Sequence, residues 1–108
     1  MKNTKRFSVF WFNPNPTIGS ELQKVRPCVV VSPEIMNDVV DTILIVPLTS
    51  TIKSWPFRIT LNVLGKKSSA ACDQLRVVDK TRLREYIGSL SPTESKEILN
   101  ILKAIFTY

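Results

Sequence analysis

Three short stretches of this chain carry residue types that could act on a substrate. Gly19-Ser20-Glu21 is followed by Arg26-Pro27, at the junction between a loop and an apolar segment. Pro47-Leu48-Thr49-Ser50 stands where a second apolar segment ends. Asp73-Gln74-Leu75-Arg76 leads into Asp79-Lys80-Thr81-Arg82-Leu83. Together they offer cations and hydroxyls, with no histidine in all 108 residues. Such a set suits holding a phosphate and stabilising the negative charge that grows on it during reaction. Each piece also has a plain reading: Arg26 as a structural ion-pair partner, Thr49 as a turn residue at a strand end.

The missing residue types narrow the chemistry. Without histidine there is no imidazole acid–base catalysis, no Ser-His-Asp triad and no His-ligated metal. Cys28 and Cys72 are too few for a closed cysteine-only zinc site, so neither metal nor cofactor is expected. Their apolar contexts, Cys28-Val29-Val30-Val31 and Ala70-Ala71-Cys72, predict buried thiols. A secreted disulfide scaffold carries more cysteines, which points to a reducing cytoplasm. Apolar runs such as Ile43-Leu44-Ile45-Val46 fall far short of the roughly 18 residues of a spanning helix, so no membrane contact is expected. The basic, apolar start imitates a secretion signal, but Asn13-Pro14-Asn15-Pro16 cuts it short.

Charge is unevenly spread. Residues 53–84 hold Lys53, Arg58, Lys66, Lys67, Arg76, Lys80, Arg82 and Arg84 against Asp73 and Asp79. That window alone accounts for the net charge of +6. A phosphate backbone is attracted to such a surface through counterion release. A solvated face that merely keeps the protein soluble has the same composition.

These residues need a scaffold, and the pattern predicts one domain over residues 1–108, rich in strands and closed by a helix. Residues 7–12 form a short apolar and aromatic run, and 13–25 a loop with prolines and glycine. Residues 27–32 and 42–49 read as buried strands, with Pro47 near an edge or bulge. Residues 33–38 read as a turn or short helical piece. Residues 57–62 alternate as a half-buried strand, 65–68 as a turn, and 69–78 as one or two further strands. Trp55 falls in a loop, where it could stack on a base or simply pack. Ser91-Pro92-Thr93-Glu94 is a helix start with a capping box. Beyond it Ile98, Ile101, Leu102 and Ile105 make an apolar stripe flanked by Leu99 and Phe106. The resulting architecture is a small, mostly antiparallel sheet or barrel with a C-terminal helix. Phe10, Trp11, Phe12 and Trp55 look too many for one modest core, which favours a second copy of the chain.

Taken in order, these stretches resemble the MazF/PemK family of toxins. The resemblance runs through Trp11, Pro16-Thr17-Ile18-Gly19-Ser20-Glu21, Val25-Arg26-Pro27, Ser32, Asn37, Val46 to Ser50, Pro56-Phe57, Asp73 to Leu83 and Ile87-Gly88. It implies a mostly β fold with α, an SH3-like barrel carrying a C-terminal helix. It also implies the toxin of a type II toxin–antitoxin pair, a metal-independent endoribonuclease specific for short motifs in single-stranded mRNA. Attack by the ribose 2′-hydroxyl would leave a 2′,3′-cyclic phosphate. A homodimer, a cognate antitoxin and DNA binding as the toxin–antitoxin complex come with the same resemblance.

Arg26 and Thr49 match the family's catalytic pair, and Glu21 the acidic residue of the preceding loop. Asp73, Gln74 and Arg76 match a segment that shapes the RNA site. Ser20, Lys24, Ser50, Lys53, Trp55, Lys80 and Arg82 complete the set expected to meet RNA. Two departures stand out. Leu22-Gln23-Lys24 replaces a Gln and glycines after Gly-Ser-Glu, and Phe7-Ser8 replaces Gly-Asp at the first strand. Neither removes Arg26 or Thr49. Two other functions share the fold: a non-catalytic nucleic-acid-binding barrel and a gyrase-poisoning toxin. The latter relies on a C-terminal Trp-Gly-Ile, whereas this chain ends Ile105-Phe106-Thr107-Tyr108.

Overall fold

The computed structural model describes residues 4–14 and 25–107. Along the chain run β1 (Ser8–Phe12), β2 (Arg26–Val30), α1 (Glu34–Asn37), β3 (Thr42–Thr49), β4 (Arg58–Val63), β5 (Lys66–Ala71), β6 (Arg76–Asp79), β7 (Leu83–Ser89) and α2 (Pro92–Ile105). Single 3-10 turns, Cys72–Gln74 and Lys80–Arg82, flank β6. All strand pairs are antiparallel, in the order β4-β5-β3-β2-β1-β7, with β6 paired to β3. The sheet curls into the barrel-like form predicted, with the helix at its end.

The middle strands are apolar on both faces because both faces are covered. Val9, Val29, Val46 and Leu48 pack with Leu61 and with Ile98 of α2. Phe10, Phe12, Cys28, Val30, Ile43 and Ile45 pack on the other face with Val78 and Leu83. Alternate side chains of a strand point to opposite faces, so the consecutive valines 29–31, which run out of β2, serve two cores. Both cysteines are buried, and burial pushes the thiols up to about 12 at Cys28 and about 11 at Cys72. Phe10 and Phe12 are fully used inside this one chain, so the aromatic count does not by itself call for a second copy.

Pro47 lies where β3 changes partners, between the residues paired with β6 and those paired with β5. Its missing N–H therefore costs the ladder little. The cap of α2 is as predicted: Glu94 N–H donates to Ser91 Oγ at 3.1 Å, and Ser91 N–H donates to the Glu94 carboxylate at 2.9 Å. Behind it the apolar stripe is buried at Ile98 but runs out at Ile105 and Phe106, which are exposed.

Three local features differ from the pattern reading. The turn expected over residues 65–68 is tighter. Leu64 and Gly65 both take positive φ, 53° and 79°, as a two-residue hairpin of the type I′ twist requires. Val63 therefore pairs with Lys66, and Lys66 and Lys67 belong to a strand. The pattern also misses β7, where Arg84, Glu85 and Tyr86 are all exposed and a register shift against β1 blurs the alternation. Finally Phe7, a non-glycine residue at the entry to β1, adopts φ 69°. Its N–H donates to the Val30 carbonyl at 2.6 Å, its carbonyl accepts from Leu90 N–H at 3.0 Å, and its ring packs on the core. The surroundings hold a backbone that glycine would adopt without strain.

Candidate active site

The register of the central strands decides what meets what. Cys28 lies opposite Pro47, Val29 opposite Val46 and Val30 opposite Ile45. Continued by two residues, the same register brings Arg26 level with Thr49 at the open end of β2 and β3. On its other side Thr49 pairs with Ser69 of β5, while Phe12 of β1 pairs with Arg26. Three adjacent strands, β1, β2 and β3, thus end at one place, with the middle of β5 beside them.

They end in a cavity of about 490 Å³, within the range of ligand sites. Arg26, Lys66 and Lys67 supply cations, and Thr49, Ser50, Thr51 and Ser68 supply hydroxyls. Leu48, Val63, Pro27 and Trp11 give it an apolar floor and wall, with Leu64 of the hairpin turn at its margin. No carboxylate is among the lining residues described. Arg26 is exposed and forms no ion pair among the described residues. The N–H of Thr51 donates to Thr49 Oγ1 at 3.1 Å. One lone pair of that oxygen is thereby occupied, and the hydroxyl proton stays available to an acceptor. Such an arrangement can grip the non-bridging oxygens of a phosphodiester.

A second group lies around the loop from β3 to β4. Arg58 Nε and Nη2 donate to the two Asp73 oxygens at 2.7 and 3.1 Å. The Arg58 hydrogen bonds hold the Asp73 carboxyl below its usual value, and Asp73 in turn raises Arg58. Arg58 sits 4.9 Å from the Trp55 ring centre and Lys53 5.1 Å from it, while Phe57 packs at 5.4 Å. Trp55 is nonetheless 43% exposed. Asp73 therefore braces this loop through Arg58, and Gln74 and Arg76 beside it are exposed.

The remaining predicted cations stand apart. The Lys80 ammonium donates to the Asn37 carbonyl, and Arg82 Nη1 donates to the Pro14 carbonyl at 3.2 Å. Asn37 is itself buried, donating through Nδ2 to the Thr4 and Ser32 carbonyls at 2.9 Å each. Ser20, Glu21 and Lys24 lie outside the described residues. Of the residues predicted to touch substrate, the structure brings Arg26, Thr49 and Ser50 into the cavity and gathers Lys53, Trp55 and Asp73 into a second cluster with Arg58. It does not bring Lys80 or Arg82 to the cavity lining. The sequence reading does not place Lys66, Lys67 or Trp11 among the residues expected to meet RNA. The +6 window was the available signal for the two lysines, but assigning them to a turn concealed it.

Known proteins share this fold. The model of the PemK-like, MazF-like toxins of type II toxin–antitoxin systems matches residues 5–106. The endoribonuclease toxin MazF of Escherichia coli K12 is 32% identical over 97 residues, covering 89% of this chain and 84% of its own. The crystal structure of MazF from Deinococcus radiodurans superposes with a TM-score of 0.81 at 27% identity, covering 97% of each chain. A MazE–MazF structure from the same organism gives 0.82 at 26% identity, covering 96% of each. With the family match spanning nearly the whole chain and the cavity built on Arg26 and Thr49, this protein belongs to the PemK-like, MazF-like toxins of type II toxin–antitoxin systems.

Proposed function

We propose that the chain is a sequence-specific, metal-independent endoribonuclease that cuts single-stranded mRNA and is held in check by a cognate antitoxin. The observation that carries this reading is the meeting of Arg26 and Thr49 in a cavity whose other charges are Lys66 and Lys67. The ribose 2′-oxygen attacks the adjacent phosphorus and gives up its proton. The bond from phosphorus to the 5′-oxygen breaks, and that oxygen leaves as a hydroxyl after gaining a proton. A 2′,3′-cyclic phosphate remains on the other fragment.

Arg26 clamps the non-bridging oxygens with its fork, since a guanidinium with a pKa above roughly 12 is a poor proton shuttle. Thr49 donates its hydroxyl to one of those oxygens. Glu21 orients Arg26 or accepts the 2′-hydroxyl proton. Ser50, Lys53, Trp55, Gln74 and Arg76 hold the flanking RNA, and Asp73 acts on it through Arg58. Ser20, Lys24, Lys80 and Arg82 add contacts or field beyond the cavity. The metal-independent part is supported by the donor set: the chain has no histidine, and no group of three His, Cys, Asp or Glu side chains that could hold an ion occurs among the described residues.

The family reading also implies a homodimer working in the cytoplasm. Among the described residues no helix is long and apolar enough to cross a membrane. The direct test is to cut RNA in excess EDTA and to sequence the 5′ ends. Clean 5′-hydroxyl products at a recurring short motif are expected. Activity lost on chelation and restored by magnesium would sink the metal-free mechanism.

A further inference from the structure

The eight cations of residues 53–84 have different engagements; Arg76 is exposed on β6 and is not among the residues that line the cavity. Arg58 is tied to Asp73, Lys80 to the Asn37 carbonyl, Arg82 to the Pro14 carbonyl and Arg84 to the Thr81 carbonyl. Lys53 rests over the Trp55 ring. Lys66 and Lys67 are exposed, form no ion pair among the described residues, and line the cavity that holds Arg26 and Thr49. They are placed there by the tight Leu64–Gly65 turn, which ends β4 and begins β5 without intervening loop residues. Two consecutive lysines of one strand line a site already supplied with one guanidinium, which together give more positive charge than a single phosphate needs.

We propose that Lys66 and Lys67 form a second phosphate subsite, holding the RNA phosphate next to the scissile one and so setting the strand's position against Arg26. This rests on the endoribonuclease reading for its substrate, but it is a claim about binding and can be tested without cleavage. A lysine is a mobile point charge suited to gripping a phosphate without demanding one geometry. The subsite therefore contributes position and affinity, while Arg26 and Thr49 act on the reacting group.

The experiment uses the full chain, wild type and K66A/K67A, with a single-stranded RNA spanning a mapped cut and its all-2′-deoxy counterpart, which binds but cannot react. The variant should raise KM for the RNA and Kd for the deoxy strand about tenfold each, with kcat within about twofold. The slope of log affinity against log salt should fall by about 0.7, the amount for one lost phosphate contact on a single strand. Replacing the phosphate on one side of the cut by a neutral methylphosphonate should weaken the wild type about tenfold and leave K66A/K67A almost unchanged, because the two changes remove the same contact. K66R/K67R should restore the slope. An unchanged slope in K66A/K67A, or methylphosphonate effects as large in the variant as in the wild type at both flanking positions, overturns the subsite. A wild type that binds the deoxy strand through these lysines yet never cuts RNA would overturn the nuclease reading and leave the subsite standing.

Discussion

The cations around the cavity and those at the corner between β6 and β7 are the same residue types, set to different work. Arg26, Lys66 and Lys67 are exposed and line the cavity, with no acceptor of their own among the described residues. Lys80, Arg82 and Arg84 donate to backbone carbonyls and brace the chain where it leaves the 3-10 turn. A residue count sees equal charges. What differs is whether the protein has already supplied the partner, because a cation committed to an internal acceptor has less to offer a phosphate.

The largest effect that would test this contrast is at Arg26. Arg26→Ala should slow cleavage at least ~100-fold, about the loss of one charge-stabilising donor, with RNA affinity changed far less. Arg26→Lys should rescue poorly, because an ammonium cannot make the forked contact. Single-turnover rates on folded protein, checked by circular dichroism, decide it; near-normal cleavage by the alanine variant would remove Arg26 from the chemistry. Thr49→Ala should lose about as much, and Thr49→Ser should keep much of the rate since the donor survives.

At the corner the prediction reverses. Lys80→Met should cost about 1 kcal/mol of stability, read from the urea midpoint, by taking away a charged donor to a carbonyl. Its RNA salt slope should fall by much less than about 0.7, because Lys80 adds only field beyond the cavity; a fall of about 0.7 would erase the distinction between the two groups.

The smallest effect is expected at the Arg58–Asp73 pair, which is partly exposed. Asp73→Asn should destabilise by less than about 1 kcal/mol near neutral pH. The sign of the pH dependence follows from the lowered Asp73 value: the paired carboxylate contributes above its ordinary 3.8 and loses that contribution as pH falls through its folded value. Wild type and variant should therefore converge in acid. A gap that persists unchanged at the lowest pH at which both stay folded would mean the ion pair is not its source.

The sequence by itself determined whatever rests on neighbours a few residues apart. The capping box at Ser91 and Glu94, the apolar run of β3 and the alternation of β4 are local, and each is where the pattern put it. Family resemblance singled out Arg26 and Thr49, with no means of showing that they meet. Tertiary structure decided the rest. It set the register that levels Arg26 with Thr49, and it recruited a charged edge strand, β7, whose own pattern is too weak to declare it. It also sorted eight similar cations into tied and open ones. Hydrogen-bond partners such as Asn37 for Lys80 and Pro14 for Arg82 lie far away along the chain. Capping and periodicity are written in adjacent residues, whereas the availability of a charge depends on which distant acceptor the fold carries to it.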